Sequence, residues 1–212
     1  MFKAIFWDND GVLVDTEPVF LDSTREVLAD VGIILDEDYY VKNQLAKNLS
    51  AFDLARAQGI SEEKIIEMRN LRNEIYANKL EENVPVLEGV KETLEKIYDH
   101  FNMGVVTSSH KNHFDLIMKG SGLRNYFDFF ITNEDVKHTK PNPEPYLMAL
   151  RKSGLAKEEC LVIEDTERGL TAAKVAGLSC YAIPTDLSAG NDFSKADMVL
   201  GSVSELPGII LG

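Results

Sequence analysis

The chain has little positive charge: 22 Lys and Arg residues stand against 35 Asp and Glu residues, which gives a net charge of -13. Nonspecific nucleic-acid binding depends on clustered Lys and Arg that release counterions, and an acidic protein repels polyanions. We therefore expect no nucleic-acid partner. A small anionic ligand would need locally concentrated positive charge or a metal ion in order to bind.

The sequence also lacks long apolar runs and contains only two cysteines. No run approaches the roughly 20 residues that a helix needs to cross a bilayer, so we expect no membrane association. The apolar stretch at residues 1–7 is too short to be the hydrophobic part of a secretory signal. We therefore expect a cytoplasmic protein. Cys160 and Cys180 lie in apolar runs and match no disulfide or zinc spacing, so we predict two reduced, buried thiols.

Short apolar runs alternate with helical patterns over most of the chain, and this alternation predicts an α/β fold. The predicted strands are residues 3–7, 103–106, 129–131, 161–163, 180–183 and 198–200. The predicted helices between them are residues 90–98, 114–119, 145–153 and 169–175. Strands that alternate with helices favour a parallel sheet covered by helices on both faces.

Residues 16–83 interrupt this alternation and contain no predicted strand. Their helical patterns lie at residues 17–31, 37–46, 50–58 and 61–80. Ser61, followed by Glu63 and Lys64, suits the N-cap of the last of these helices. An all-helical block inserted after the first strand predicts a second, smaller domain. We expect a core domain formed by residues 1–15 and 84–212, and a helical domain formed by residues 16–83.

Four polar segments each follow a predicted strand, and ligands of open α/β sheets bind outside the carboxyl ends of the strands. In the first segment, Asp8 could act as a covalent nucleophile toward phosphorus. Asp10 could protonate the leaving oxygen and then deprotonate water, and Gly11 allows a sharp turn close to a ligand. Taken alone, Asp-x-Asp is common, and a solvated acidic loop is the alternative.

The second and third segments contain groups that suit a phosphate. Thr107 and Ser108 offer hydroxyl and backbone N–H groups at a strand-to-helix turn, where a phosphate oxygen could bind. Lys140, beside stiff prolines, could pair with Asp8 and neutralise a transferring phosphoryl group. If each segment is considered alone, the alternative for Thr107 and Ser108 is an ordinary helix N-cap, and the alternative for Lys140 is a surface lysine.

The fourth segment places Glu164 and Asp165 at the end of a predicted buried strand. Mg²⁺ prefers oxygen ligands and keeps several waters, so one or two carboxylates and a substrate phosphate suffice to hold it. The ion would offset the repulsion between acidic residues and an anionic substrate. A turn or helix cap is the alternative for these two acids alone.

In combination, the four segments resemble the motifs of the haloacid dehalogenase superfamily, in particular its phosphatase and phosphomutase branch. The resemblance covers essentially the whole chain. It rests on Asp8-Asn9-Asp10-Gly11-Val12-Leu13-Val14-Asp15-Thr16-Glu17-Pro18, Thr107-Ser108-Ser109, Lys140-Pro141 with Pro143, and Ile163-Glu164-Asp165-Thr166 with Gly169. Two positions depart from the usual motif: Asn9 stands where Leu or Met is common, and Trp7 where Phe is common.

This resemblance implies a Rossmann-like, doubly wound core with a helical cap inserted after the first strand. The implied Mg²⁺ ligands are the Asp8 side chain, the Asp10 backbone carbonyl, Asp165 and, directly or through water, Glu164. The implied phosphate-binding groups are Thr107, Lys140 and backbone N–H groups of the first motif around Asn9 and Gly11, with Thr16 and Ser108 as further candidates. The presence of Asp10 implies a phosphotransferase rather than a dehalogenase.

The resemblance favours a magnesium-dependent phosphatase of a small phosphorylated metabolite, and a β-phosphoglucomutase-type sugar phosphomutase is the main alternative. Those mutases carry a His near the start of the first cap helix and an Arg in a cap loop, where it grips a second phosphate. An ungapped comparison places Phe20 and Leu49 at these positions, and neither side chain can donate a hydrogen bond. A catalytically silent binding protein is a third reading, disfavoured because every expected catalytic position is filled.

Several polar cap residues could face the site, which would favour a polar substrate such as a sugar phosphate. They are Asn43, Gln44, Lys47, Asn48 and Arg72, and Asn112 of the core is a further candidate. Solvated helix positions are the alternative for all of them. The four histidines, His100, His110, His113 and His138, are interpreted as surface or loop residues. His110 and His138 flank motifs, and a role at the entrance of the site is the alternative for these two. We expect the protein to be a monomer and its partner to be a small phosphorylated metabolite.

Overall fold

The computed structural model describes residues 1–46 and 49–212. Its strands are β1 (Ala4–Trp7), β2 (Asn102–Val106), β3 (Phe129–Ile131), β4 (Cys160–Glu164), β5 (Ser179–Ala182) and β6 (Met198–Val199). They pair in parallel, in the order β3-β2-β1-β4-β5-β6. This is the strand order of Rossmann-like sheets, so the predicted α/β, doubly wound fold is confirmed.

Most helices differ from the predicted ones only at their ends, but the last helix, over residues 206–210, was not predicted. The helices are α1 (Glu17–Ala29), α2 (Glu37–Tyr39) with a π-helical continuation (Tyr40–Leu45), α3 (Asp53–Ala57), α4 (Glu62–Glu82), α5 (Val90–Ile97), α6 (Lys111–Ser121), α7 (Glu144–Ser153), α8 (Glu167–Val175) and α9 (Leu206–Ile210). Helix α6 begins three residues before the predicted 114, because its first turn is polar and the prediction followed its apolar face. The π-helical segment was predicted as ordinary helix.

Strand β1 lies at the centre of the sheet and is buried on both faces. Ile5 and Trp7 join an apolar cluster on one face, and Ala4 and Phe6 join a second cluster on the other. Successive side chains of a strand point to opposite faces, so a central strand needs a continuous apolar run. This requirement explains why polar residues begin only at Asp8, where the strand ends.

The helices between β1 and β2 have an apolar cluster of their own. Leu28 of α1 packs with Ile65 and Met68 of α4, and all three side chains are buried. At the other end of α4, Tyr76 and Leu80 belong instead to a cluster of the sheet. Helix α4 therefore connects the helical residues to the sheet.

Two smaller expectations, the cap of α4 and the buried free thiols, agree with the structure. The Ser61 hydroxyl accepts from the Lys64 N–H at 3.3 Å and caps α4. Cys160 and Cys180 are buried and form no disulfide. Among the described residues, no helix has both the length and the apolar character required to cross a membrane.

Candidate active site

The predicted segments meet at the carboxyl edge of the sheet, where β1 lies between β2 and β4. Asp8 follows β1, Thr107 follows β2 and Asp165 follows β4. The Asp8 N–H donates to the Ile163 carbonyl at 2.9 Å, which fixes the end of β1 beside β4. The strand order reverses between β1 and β4, and such a switch point is where doubly wound sheets bind their ligands.

Lys140 is buried between two carboxylates. Its Nζ lies 2.8 Å from Asp8 Oδ1 and 2.6 Å from Glu164 Oε1, and it donates to the Val106 carbonyl at 2.8 Å. Burial alone would lower the pKa of Lys140, but the attraction of Asp8 and Glu164 raises it above its usual value. The alternative of a surface lysine is excluded, since the side chain is only 2% exposed.

Glu164 is held in place from several directions. Its Oε1 accepts from Lys140 and from the Tyr146 hydroxyl, the latter at 2.5 Å, and its Oε2 accepts from the Asp165 N–H at 3.3 Å. Gly169, in the first turn of α8, leaves room for this carboxylate, because a Cβ there would lie 1.9 Å from the carboxyl carbon. Glu164 thus orients Lys140 from a fully buried position.

Asp8, Glu164 and Asp165 form a buried acidic cluster whose potential ligand atoms all lie within 4.8 Å of one another. Burial and the neighbouring Glu164 raise the pKa of Asp8 to about 7, and burial and Asp8 raise the pKa of Asp165 well above its usual value. Asp165 Oδ1 is buried without a hydrogen-bond partner among the described residues. Buried carboxylates without compensating charge are costly, and Mg²⁺ prefers oxygen ligands, so these residues fit the implied ion.

The turn after Asp10 has no room for a side chain. Gly11 has a φ of 84°, and a Cβ at this position would lie 2.1 Å from Asp165 Oδ2. Glycine is the residue that tolerates both the conformation and the close approach. The Gly11 N–H donates to the Val14 carbonyl at 2.8 Å, so in this structure it is bonded inside the turn and not offered to a phosphate.

Three hydroxyl groups hold the Asp10 carboxylate at the cavity. Thr16 donates to Oδ1, while Ser109 and Thr107 donate to Oδ2 at 2.7 and 3.2 Å. Thr107 Oγ1 also accepts from the Ser109 N–H at 2.9 Å. In this structure Thr16 and Thr107 therefore position Asp10, and their contact with a phosphate stays a prediction.

Asn9 and Ser108 differ in what they offer a substrate. The Asn9 side chain is fully buried, and neither of its polar atoms has a partner within the described part of the chain. It is not one of the residues that line the cavity, whereas Ser108 is. The Ser108 hydroxyl is buried and likewise has no partner among residues 1–46 and 49–212, so it can donate to a phosphate.

A cavity of about 320 Å³ lies over these residues, between the sheet and helices α1 and α4. Asp8, Asp10, Lys140 and Asp165 line the side that faces the sheet. The volume lies at the small end of the range typical of small-molecule sites. The cavity therefore suits a small metabolite.

The opposite wall carries both charge and aromatic surface. It is lined by Glu17 and Phe20 of α1 and by Arg72 and Tyr76 of α4. The Arg72 guanidinium carbon lies 4.1 Å from the Phe20 ring centroid, and its Nε donates to Asn73 Oδ1 at 2.8 Å. Burial lowers the pKa of Arg72 to about 10, which still leaves the side chain charged at neutral pH.

Of the remaining residues that were predicted to contact the substrate, only some line the cavity. Gln44 lines the cavity, but Asn43 does not, and its amide donates to the Tyr39 carbonyl at 2.9 Å. Asn112 is exposed on α6 and is not a lining residue, so the contact expected of it is not made in this structure. Lys47 and Asn48 lie outside the described residues.

Several residues of the cavity wall were not predicted from the sequence, among them Glu17, Tyr76 and His113. Glu17 directly follows Thr16 in the first motif, and Tyr76 lies one helical turn after Arg72, so both could have been found from motif position and helix periodicity. His113 was expected at the surface, but it is 3% exposed and its ring centroid lies 5.0 Å from that of Tyr76. Its burial depends on contact between α4 and α6, which no local pattern predicts.

Comparison with known proteins places the chain in a family. The model of the haloacid dehalogenase-like hydrolases matches residues 5–183. YhcW of Bacillus subtilis is 30% identical over 208 residues, which cover 97% of this chain and 94% of YhcW. The phosphorylated carbohydrates phosphatase of Thermotoga maritima is 27% identical over 206 residues, which cover 93% of this chain and 92% of that protein.

A solved structure of similar fold is the β-phosphoglucomutase of Clostridium difficile, with a TM-score of 0.82 and 23% identity over 100% of this chain and 96% of that one. At this identity the likeness shows the fold alone. The family model, in contrast, spans most of the sequence and includes all four motifs, and the predicted enzyme class is confirmed. This chain belongs to the haloacid dehalogenase-like hydrolase family.

Proposed function

We propose that the protein is a Mg²⁺-dependent phosphatase that hydrolyses a small phosphorylated metabolite, such as a sugar phosphate, through a phosphoaspartate at Asp8. The observation that carries this proposal is the meeting of Asp8, Asp10 and Lys140 on one side of a single small cavity. A relative named as a phosphatase of phosphorylated carbohydrates supports the choice of substrate class.

Asp8 is the nucleophile of the first step. Because Lys140 binds Oδ1, we assign the attack on phosphorus to Oδ2. The bond from Oδ2 to phosphorus forms as the bond from phosphorus to the leaving oxygen breaks, and Asp10 gives its proton to that oxygen. Lys140 balances the charge of the transferring group, as phosphoryl transfer generally requires.

Asp10 serves the second step as a base. It removes a proton from water, whose oxygen displaces Asp8 from phosphorus and releases inorganic phosphate. The hydroxyls of Thr16, Thr107 and Ser109 keep the Asp10 carboxylate at the cavity during both steps. Mg²⁺ held by Asp8, Asp165 and the Asp10 carbonyl would supply charge neutralisation and polarise the phosphoryl group.

We propose further that residues 16–83 form a cap domain over a core of residues 1–15 and 84–212. The separate apolar cluster around Leu28 and Ile65 supports this division. The cap side of the cavity also supports it, because Glu17 and Arg72 face the catalytic carboxylates across the space that a substrate would fill. Opening of the cap would admit substrate, and closure would exclude water from the reacting groups.

Phe20 favours a hydrolase over a mutase. Its ring packs against Arg72 and edge-on against Tyr76, with ring centroids 5.1 Å apart. An aromatic hydrocarbon cannot donate a hydrogen bond to a second phosphate, which a mutase has to hold. Leu49 is 48% exposed and does not line the cavity, so it offers no such donor either.

The proposal is tested by measuring phosphate release from a panel of phosphorylated metabolites and phenyl phosphate. We expect turnover that EDTA abolishes and added Mg²⁺ restores. Asp8→Asn should abolish turnover, and Asp10→Asn should lower kcat by about 100- to 10,000-fold, the usual contribution of a general acid and base. Circular dichroism would verify that both variants are folded.

Two outcomes would contradict the proposal. Undiminished phosphate release by folded Asp8→Asn would exclude this residue as the nucleophile. Conversion of β-glucose 1-phosphate to glucose 6-phosphate without release of phosphate would instead identify the enzyme as a mutase.

A further inference from the structure

We infer that Leu187, in the segment that follows β5, is a positioning residue that holds the helical cap over the active site. This inference rests on the proposed function and deepens it, because it names the contact that keeps the proposed cap closed. We call the segment, residues 184–192, the β5 loop. It lies beyond residues 5–183, which the family model matches, so membership of the family does not by itself assign it a role.

Leu187 follows a strand of the sheet but packs with the helical residues. Its partly buried side chain lies against the apolar cluster that contains Leu28, Leu45 and Ile65. Leu45 and Leu187 also both line the active-site cavity, so this cluster reaches the cavity from both sides of the proposed division. Removing apolar surface from water stabilises the arrangement that buries it, which here is the closed one.

Hydrogen bonds fix the shape of the β5 loop and connect it to α8. Ser188 is buried, its hydroxyl accepts from the Thr185 N–H at 2.9 Å, and its own N–H donates to the Thr185 carbonyl at 3.1 Å. Further along, Asn191 Oδ1 accepts from the Glu167 N–H at 3.0 Å. Glu167 is the first residue of α8 and comes two residues after Asp165. The side chain that meets the cap is therefore anchored beside the acidic cluster.

The β5 loop and helix α6 contact the helical residues on opposite sides of the active site. Helix α6 follows β2 and the loop follows β5, and these two strands lie on opposite sides of β1 in the sheet. On the α6 side, the ring centroids of His113 and Tyr76 of α4 are 5.0 Å apart. Weakening the Leu187 contact should therefore let one side of the cap move away while the α6 contact persists.

Leu187 also lies between two cavities. It lines the active-site cavity and, like Thr185, a second cavity of about 380 Å³. Asp15 and Leu87 line the second cavity as well, near the two points where the chain passes between the proposed core and cap. The Asp15 N–H donates to the Pro85 carbonyl at 2.8 Å and so joins these two points. The space beside them gives the cap room to move once the Leu187 contact is weakened.

The test compares Leu187→Ala with Leu155→Ala. Leu155 is a matched control, because it is also partly buried between elements, packs against an apolar cluster of the sheet and does not line the active-site cavity. The quantity measured is kcat/KM for the substrate that the panel shows to be hydrolysed fastest.

We expect kcat/KM to fall about tenfold in Leu187→Ala, because apparent affinity falls with the fraction of protein in the closed, binding-competent state. It should stay at the wild-type value in Leu155→Ala. Leu187→Met keeps most of the apolar volume and should restore kcat/KM.

Small-angle X-ray scattering provides a readout that does not require turnover. Without ligand, Leu187→Ala should have a larger radius of gyration than the wild type and Leu155→Ala, and Leu187→Met should match the wild type. A lower melting temperature is expected of both alanine variants and does not distinguish them. If circular dichroism shows that Leu187→Ala is unfolded, the milder truncation Leu187→Val takes its place in both measurements.

The outcomes separate this inference from the proposed function. If every phosphorylated compound of the panel is left intact, the phosphatase assignment is wrong, and the radius of gyration alone decides whether Leu187 holds the cap. Equal kcat/KM values and equal radii for the two alanine variants would refute the role of Leu187. A lower kcat/KM with an unchanged radius would refute it too, because the side chain would then act on the site without holding the cap.

Discussion

At the scale of single residues, buried polar groups in this protein are of two kinds. Around Lys140 they are paired: Glu164 binds both the lysine and Tyr146, and neither carboxylate oxygen of Glu164 is without a donor. Asn9 is different, because its amide is fully buried and has no partner among the described residues. A buried amide without hydrogen bonds destabilises the folded state, whereas an apolar side chain of the same shape does not.

Asn9→Leu should therefore stabilise the protein. The residues have similar shape, and removing an unsatisfied buried amide should raise the free energy of unfolding by about 1–3 kcal/mol. Urea denaturation would measure this change. Asn125→Leu, at an exposed position, is the control and should change the free energy of unfolding little. A loss of stability in Asn9→Leu would show that the amide has a partner, such as a bound water, that stabilises it.

At the scale of elements, the strands could be predicted well because each is a short apolar run with polar residues after it. Asp8 and Asp165 mark two of these ends, and strand order then brings them together. Helix ends could be predicted less well, since a polar first turn such as that of α6 carries no apolar signal. The π-helical segment Tyr40–Leu45 was not predictable, because a 3.6-residue pattern does not distinguish it from an ordinary helix.

The first turn of α8 illustrates how one element can constrain catalysis. Alanine normally stabilises a helix relative to glycine, by about 0.5–1 kcal/mol. At Gly169, however, a Cβ would lie 1.9 Å from the carboxyl carbon of Glu164, so that side chain would have to move away from Lys140. For Gly208 of α9, apart from its chain neighbours and its own helix backbone, no atom of the described residues lies within 4 Å of the equivalent Cβ position, which makes it a matched control.

We expect the two glycine substitutions to have opposite effects. Gly169→Ala should lower both the melting temperature and kcat, because displaced Glu164 no longer orients Lys140. Gly208→Ala should leave kcat unchanged and raise the free energy of unfolding by about 0.5–1 kcal/mol. Thermal denaturation and phosphate release would be measured for both. Full activity in Gly169→Ala would mean that the position of Glu164 is not critical for transfer.

At the scale of the whole molecule, the two sides of the cavity were predictable to different degrees. Asp8, Lys140 and Asp165 follow strands of one sheet, so topology alone brings their segments to one edge. Glu17 and Tyr76 lie on helices whose placement over the sheet depends on tertiary packing. The composition added a constraint, because a chain with net charge -13 needs local positive charge to bind an anion, and Lys140 is the residue that we propose supplies it.

The contact between the helical residues and the sheet contains a titratable group. His113 of α6 meets Tyr76 of α4 edge-on, and Tyr76 meets Phe20 in the same way. Burial and the neighbouring His110 lower the pKa of His113, so the folded protein favours the neutral ring. An unfolded histidine titrates near pH 6.5, so below that pH the unfolded chain binds more protons than the folded one. The contribution of His113 is therefore complete above about pH 6.5 and is lost as the pH falls toward its folded pKa.

His113→Phe should reduce the loss of stability in acid, because it keeps the edge-on contact with Tyr76 and removes the titration. The measured quantity is the difference in melting temperature between pH 7.5 and pH 5.5. The raised pKa values of carboxyl groups such as Asp8 and Glu17 have the opposite effect on the change of stability with pH. The difference in melting temperature is therefore compared between variants and not judged from the wild type alone. His100→Gln, at an exposed position, should leave the difference at the wild-type value. If His113→Phe and His100→Gln behave alike, the contact between α4 and α6 does not depend on a neutral His113, and acid must weaken the fold elsewhere.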